Sequence, residues 1–214
     1  MHAPALGPAS WAPVAAALQG RGAEALTARY TVGDPPSYER AAAKIAAHVS
    51  DAGWTTVLHS GAGALAPSIA EACDASFIFV DAILPHSGQS WLETAPPALA
   101  SRLGRLCVGG RLPPWNAWFE QDPIASLGAD PATQVSLRQE LPSLPLAWFA
   151  LKAPAAPGWP NVTRCAYLQL SDAYGAEASV CEARGWAVRR LRLGHLGIVT
   201  QPDMVAAELM SLAT

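Results

Sequence analysis

The 214-residue sequence has few charged residues and no long run of either sign. Lys and Arg number 14, Asp and Glu number 17, and the formal net charge is −3. The basic residues are scattered, so the sequence predicts binding neither to nucleic acid nor to an anionic membrane. No apolar run reaches the roughly 18 residues that a membrane span requires. Because 51% of the residues are hydrophobic, we expect a globular chain rather than a disordered one.

Cysteine pairs and metal-ligand clusters are missing as well. The four cysteines are widely spaced, and no CxxC, HxH or HxxxH motif occurs. We therefore expect reduced, structural cysteines and no metal site. Residues 1–10 lack the basic and apolar regions of a secretion signal, which favours a cytoplasmic location.

The chain alternates short apolar runs of strand length with segments of helical periodicity. Candidate strands are 26–32, 54–58, 76–80, 165–170 and 187–193. Candidate helices are 11–20, 37–50, 64–73, 97–108, 131–140, 173–185 and 201–212. This alternation predicts an α/β fold in which helices cover both faces of a mostly parallel sheet. The length is sufficient for a single domain over residues 1–214.

Residues 82–160 differ in composition from the rest of the chain. They contain most of the prolines and five of the eight tryptophans, and their helical pieces are separated by Pro and Gly turns. This pattern predicts a helical lid, inserted after the strand that ends at Asp81, rather than a second domain.

The segment His59-Ser60-Gly61-Ala62-Gly63 joins a candidate strand to a candidate helix, with a serine at the apex. A serine in such a turn stands clear of its neighbours, and the start of the helix stabilises negative charge beside it. Asp172 and His195 follow two later strands, whose carboxyl ends share one edge of a parallel sheet. A nucleophilic serine needs a base, and the base needs an orienting acid. Ser60, His195 and Asp172 are therefore the predicted catalytic residues.

Other interpretations of these residues stay open. Asp81 is the alternative acid, because it also ends a strand, or it holds the hinge of the lid. Ser60 could be a small turn residue, His195 a structural histidine and Asp172 a helix N-cap. We favour Asp172 over Asp81 as the acid. We interpret His59 as structural, with a ring that points away from the base.

In order and spacing these segments resemble the α/β-hydrolase superfamily over nearly the whole chain. More narrowly, they resemble small bacterial hydrolase-like proteins, common in actinobacteria, that are related in pattern to plant esterases and hydroxynitrile lyases. The resemblance lies in the oxyanion loop and first helix (2–14), the serine elbow (59–63), the strand end before the lid (80–90) and the closing segment (185–202). It implies that Gly61, Ala3 and Pro4 bind the oxyanion, and that His86 and Trp91 lie near the substrate.

The sequence departs from the family pattern at three places. Leu58 and Ala62 stand where the G-x-S-x-G elbow has glycine, and Leu58 is bulky enough to distort the turn. The chain starts at the oxyanion loop, so we expect a sheet that is short at the N-terminus, with its first strands missing. Pro4 has no N–H to donate to an oxyanion.

The resemblance implies a serine hydrolase that acts on a small, apolar ester, thioester or lactone without a cofactor. The partner is then a small-molecule substrate, held in an apolar pocket under the lid. One alternative is a lyase or isomerase in which His195 acts as a general base without an acyl-enzyme. Another is a non-catalytic or truncated α/β-hydrolase-like protein. An unpaired strand at the edge of the shortened sheet would also allow oligomer formation.

Overall fold

A parallel sheet forms the centre of the protein. The computed structural model describes residues 1–48, 53–155, 159 and 164–213, and the predicted element ends at Ser50 and Pro160 lie outside these ranges. Within these ranges the sheet has four strands in the order β1-β2-β3-β4, and every neighbouring pair is parallel. The strands are β1 (Thr55–His59), β2 (Ser76–Val80), β3 (Cys165–Gln169) and β4 (Ala187–Arg190). Because all four run the same way, their carboxyl ends meet at one edge.

Helices follow each strand and fill the long connection between β2 and β3. The α-helices are α1 (Ala12–Gln19), α2 (Tyr38–Ala46), α3 (Ala66–Ala72), α4 (Trp91–Thr94), α5 (Pro97–Leu106), α6 (Pro131–Gln139), α7 (Leu146–Ala150), α8 (Gly175–Ala183), α9 (Gly197–Thr200) and α10 (Pro202–Ala213). Short 3₁₀ helices cover Pro8–Ser10, Ser60–Leu65, Trp115–Trp118, Ala125–Leu127 and Asp172–Tyr174. No helix in the described residues is long and apolar enough to cross a membrane.

Alternate side chains of the strands enter two different cores. In β2, Phe77 and Phe79 join a core with α2, α3 and α8, whereas Ile78 and Val80 join a core with α1, α9 and α10. Both faces of the strand are therefore buried, which is why its sequence reads as one continuous apolar run. The prediction of an α/β fold with a parallel sheet between helices is confirmed.

One predicted strand is wrong. Residues 23–32 form neither helix nor strand, although Ala28, Tyr30 and Val32 are buried while their immediate neighbours Arg29 and Thr31 are exposed. This alternation is the burial pattern of a strand with one buried face. Strand formation also needs a partner for the backbone hydrogen bonds, and no described strand pairs with this segment.

The first residue of the chain lies against the free edge of β1. The amino group of Met1 donates to the carbonyl oxygen of Val57 at 2.6 Å, and the His59 N–H donates to the Met1 carbonyl oxygen at 3.3 Å. Burial lowers the pKa of this amino group to about 5. No described strand precedes β1. The two hydrogen bonds fix the loop that follows Met1 beside the carboxyl end of β1.

Residues between β2 and β3 contain α4 to α7 and two of the 3₁₀ helices. The interpretation of residues 82–160 as a lid within a single domain stays a prediction.

Candidate active site

Ser60 lies at the apex of a sharp turn between β1 and the 3₁₀ helix that leads into α3. Its φ angle is 56°, in the left-handed region that residues other than glycine seldom adopt. The turn is fixed by a hydrogen bond of 3.2 Å from the Ile83 N–H to the Ser60 carbonyl oxygen. Strained backbone of this kind concentrates at functional sites, and here it places the serine side chain at the carboxyl edge of the sheet.

The turn forms despite Leu58. The Leu58 side chain is fully buried in the core that contains α2 and α3. Close backbone approach occurs instead at Gly63, where a Cβ atom would lie 2.0 Å from the Ile83 carbonyl oxygen. The glycine that this turn needs is therefore Gly63, and the departure at Leu58 does not prevent the turn.

His195 is hydrogen-bonded to Asp81. The His195 Nδ1 atom lies 2.7 Å from Asp81 Oδ2, and the Asp81 side chain is completely buried. The same carboxylate accepts hydrogen bonds from the Leu170 N–H, the Ser171 N–H and the Ser171 hydroxyl, at 2.6–2.8 Å. Four donors around one carboxylate suit its ionised form, which only accepts hydrogen bonds. With the proton on Nδ1, His195 keeps Nε2 as a hydrogen-bond acceptor.

This geometry does not support the preference for Asp172 as the acid, because the carboxylate that is hydrogen-bonded to His195 belongs to Asp81. Asp172 begins the 3₁₀ helix after β3, and it is exposed and does not line the cavity that contains Ser60. Asp81 leaves β2 with a φ angle of 44°. Its carboxylate accepts hydrogen bonds from the backbone N–H groups of Leu170 and Ser171, just beyond the end of β3. The residue beside the histidine is thus Asp81, the alternative acid predicted from the sequence.

Two aromatic rings stack on the His195 ring. The His59 ring lies 4.6 Å away, centroid to centroid, and the Tyr174 ring lies 5.2 Å away at an interplanar angle of 10°. The buried His59 also donates from Nε2 to the His195 carbonyl oxygen at 3.1 Å. Burial lowers the pKa of His59 well below its usual value, so this ring stays neutral. The expectation that His59 points away from the base is therefore wrong.

The Ser60 hydroxyl is hydrogen-bonded to Tyr174. Its Oγ atom lies 3.2 Å from the Tyr174 hydroxyl oxygen. No hydrogen bond joins Ser60 to His195 in the described structure, although both line the same cavity. In unliganded enzymes the hydrogen bond from nucleophile to base is often long and tightens only when substrate binds. Burial raises the pKa of Tyr174 to about 12, so its hydroxyl keeps its proton at neutral pH.

A cavity of about 590 Å³ opens at this edge of the sheet. Its walls are mostly aromatic and aliphatic, with Trp91, Trp115, Trp118, Phe119, Trp148 and Phe149 among them. No Asp, Glu, Lys or Arg is among the described residues that line it. Its polar groups include the Tyr38 hydroxyl and His86 Nε2, which lie 3.3 Å apart. Such a cavity favours a neutral, largely apolar ligand.

The predicted oxyanion and substrate residues all line this cavity. Gly61, Ala3, Pro4, His86 and Trp91 are each part of its wall. Gly61 lies directly under the proline ring, since a Cβ atom on Gly61 would be 3.3 Å from Pro4 Cδ. The Gly61 N–H is at the start of the 3₁₀ helix, where N–H groups have no partner within the helix.

No group of His, Cys, Asp and Glu side chains in the described residues could hold a metal ion. The four cysteines are free thiols: Cys73, Cys107, Cys165 and Cys181.

No protein-family model and no curated protein matches the chain. Solved structures do match it. An extracellular α/β-hydrolase from a Paenibacillus species, which shares structural and functional homology with tobacco salicylic acid binding protein 2, aligns with a TM-score of 0.79 and 15% identity. That alignment covers 99% of this chain and 96% of the other. The chain has the α/β-hydrolase fold.

Two further structures support this assignment of fold. A mutant of tomato methylketone synthase I aligns with a TM-score of 0.71 and 13% identity, over 99% of this chain and 95% of its own. A pyrethroid hydrolase from Sphingobium faniae JZ-2 aligns with a TM-score of 0.64 and 16% identity, over 98% of this chain and 93% of its own. The resemblance to the α/β-hydrolase superfamily seen in the sequence is confirmed at the level of fold.

Two residues of this site were not predicted correctly from the sequence: Tyr174 was missed and His59 was misjudged. Tyr174 ends the 3₁₀ helix Asp172–Tyr174, just beyond β3 and at the sheet edge where the strand pattern had placed the site. A single aromatic residue there carries no signal of its own, because its stacking on His195 depends on the tertiary structure. The usable signal for His59 was its position directly before the apex serine in sequence.

Proposed function

We propose that the protein is a serine hydrolase that acts on small, neutral esters, thioesters or lactones. In this proposal Ser60 is the nucleophile, His195 the general base and Asp81 the acid that orients it. The observation that carries the proposal is the hydrogen bond from His195 Nδ1 to the buried Asp81, beside the same cavity as the strained Ser60 turn. This combination matches the roles of a nucleophile, a base and an orienting group.

The reaction proceeds in two halves. Ser60 Oγ attacks the carbonyl carbon while its proton passes to His195 Nε2, and the carbonyl oxygen becomes an oxyanion. The intermediate collapses, the bond to the leaving group breaks, and His195 gives its proton to that group. Water then attacks the acyl-enzyme with His195 as base, which releases the acid and restores Ser60. Asp81 holds the ring orientation and stabilises the imidazolium that forms in each half. These steps use only side chains and water.

Two kinds of observation support this substrate class. The cavity is aromatic and lacks charged side chains among its described residues, so a charged substrate group would lose its hydration without an ionic partner. In addition, two of the structural neighbours are named as hydrolases, one of them for pyrethroids. We propose that the residues between β2 and β3 act as the lid over the acyl group.

Two p-nitrophenyl esters of equal chain length test this substrate class. The butyrate and the hemisuccinate differ in one terminal group, a methyl in the first and a carboxylate in the second. We expect kcat/KM to be about 100-fold lower for the hemisuccinate, because burial of an unpaired charge costs several kcal/mol. The measurement is the initial rate of nitrophenol release from each ester after subtraction of the rate in buffer, because the carboxylate of the hemisuccinate also cleaves its own ester without enzyme. Equal rates for the two esters would contradict the assignment to neutral substrates.

A lyase or isomerase is the second candidate. The observation that favours it is the hydrogen bond of Ser60 to Tyr174 rather than to His195, which leaves His195 Nε2 available for a proton of the substrate. Another structural neighbour is named as a methylketone synthase. In this alternative, activity would survive the loss of the Ser60 hydroxyl, whereas ester hydrolysis would not.

A further inference from the structure

One residue of the oxyanion loop cannot donate a backbone hydrogen bond. Ester hydrolysis by a serine usually requires two preorganised donors, and the Gly61 N–H can be one of them. The loop residue that faces Gly61 is Pro4, whose ring lies against it and which has no N–H. A side-chain hydroxyl near Ser60 is therefore a candidate for the second donor.

Tyr174 lies in the position where such a donor is needed. Its hydroxyl oxygen is 3.2 Å from Ser60 Oγ, and its ring lines the same cavity. The ring is fixed by stacking on His195. The short 3₁₀ helix Asp172–Tyr174 carries it beyond the end of β3, next to the residues that bind Asp81. The hydroxyl is therefore held in place before any substrate arrives.

The direction of this hydrogen bond matters for the reaction, since either hydroxyl can donate in it. If Tyr174 donates to Ser60, the serine hydrogen is free to turn to His195. The opposite direction would commit the serine hydrogen to Tyr174. Donation by Tyr174 is therefore the direction that the proposed mechanism uses.

We propose that Tyr174 is a catalytic residue whose hydroxyl donates a hydrogen bond to the oxyanion, in place of the N–H that Pro4 lacks. This inference rests on the proposed function. When Ser60 Oγ bonds to the carbonyl carbon, the carbonyl π electrons move to oxygen and the serine proton moves to His195. The oxyanion is then two bonds from Oγ, within reach of a hydroxyl that already contacts Oγ. Tyr174 keeps its proton throughout, and the charge disappears when the carbonyl re-forms and the leaving group departs.

Tyr174→Phe removes the hydroxyl and keeps the ring that stacks on His195. We expect kcat for p-nitrophenyl butyrate to fall about 100- to 1000-fold, the usual effect of losing one oxyanion donor, with KM within about threefold of wild type. The affinity for a trifluoromethyl ketone, which forms a tetrahedral adduct with Ser60, should fall by a similar factor. Tyr30→Phe is the matched comparison, because it removes a buried hydroxyl that donates to the His2 carbonyl oxygen and does not line the cavity. It should lower kcat/KM by less than about tenfold.

A second variant covers the case in which Tyr174→Phe does not fold. Incorporation of 3,5-difluorotyrosine at position 174 keeps the ring and the hydroxyl but lowers the pKa of the phenol. Activity should then fall at a lower alkaline pH than in the wild type, because the ionised oxygen no longer donates.

The possible results separate this inference from the proposed function. If Ser60→Ala is inactive while Tyr174→Phe retains kcat within about threefold of wild type, the Tyr174 role is wrong and the hydrolase stands. An unchanged alkaline limb in the difluorotyrosine protein would overturn the Tyr174 role in the same way. If the wild type shows no hydrolysis that depends on Ser60, the proposed function and this inference are both wrong.

Discussion

Ser60→Ala should reduce kcat for p-nitrophenyl butyrate by about 10⁵- to 10⁶-fold. The reason is that the proposed reaction passes through a covalent bond to Ser60 Oγ, and alanine offers no atom to form it. His195 and Asp81 do not substitute, because in this proposal neither forms a bond to the carbonyl carbon. The measurement is the initial rate at saturating ester for wild type and variant at equal folded concentration.

Ser68→Ala is the matched control for this experiment. Ser68 lies in α3, is buried, and its hydroxyl has no hydrogen-bond partner in the described structure. Its removal therefore breaks no hydrogen bond, and kcat should stay within about threefold of wild type. Comparable rates in wild type and Ser60→Ala would show that Ser60 is not the nucleophile.

Asp81→Asn should lower kcat by about 10⁴-fold. The amide has the size of the carboxylate but carries no charge, so it cannot stabilise the imidazolium of His195. If the amide nitrogen donates to Nδ1, the ring must carry its proton on Nε2, and it can no longer accept the proton of Ser60. KM should change little, since Asp81 is buried and does not line the cavity.

Asp172→Asn is the control that separates the two candidate acids. Asp172 is exposed, and it is the first residue of the 3₁₀ helix, whose N-cap is Ser171. We expect kcat within about threefold of wild type. A large loss in Asp172→Asn with full activity in Asp81→Asn would reverse the assignment. Because Asp81 also accepts two backbone N–H bonds, the melting temperature of each variant is measured beside its rate.

The sequence predicted the parts of the site that depend on local pattern. Ser60 and His195 line the same cavity, because each follows a predicted strand and a parallel sheet brings the ends of its strands to one edge. β2 has the predicted bounds, since a strand buried on both faces leaves an uninterrupted apolar signal.

The choice of acid could not be made from local pattern. Asp81 and Asp172 both follow a strand, so their sequence contexts are equivalent. The difference arises from the backbone after β2. Asp81 has a φ angle of 44° there, and its carboxylate is hydrogen-bonded to Ser171 and His195. Asp172 starts a 3₁₀ helix instead and remains exposed. Such a turn is set by tertiary contacts, which a single sequence does not display.

The wrong strand at 26–32 illustrates a related limit. Ala28, Tyr30 and Val32 are buried in alternation, as in a strand with one buried face. A strand also needs a neighbouring segment that pairs with its backbone, and that partner cannot be identified from the segment's own residues.

The most direct test of the central claim is covalent labelling with a fluorophosphonate, followed by intact-protein mass spectrometry and peptide mapping. We expect one label per wild-type chain, located on Ser60, with no label in Ser60→Ala and much slower labelling in Asp81→Asn. A chain that stays unlabelled, or a label on any residue other than Ser60, would contradict the assignment of an activated serine at this site.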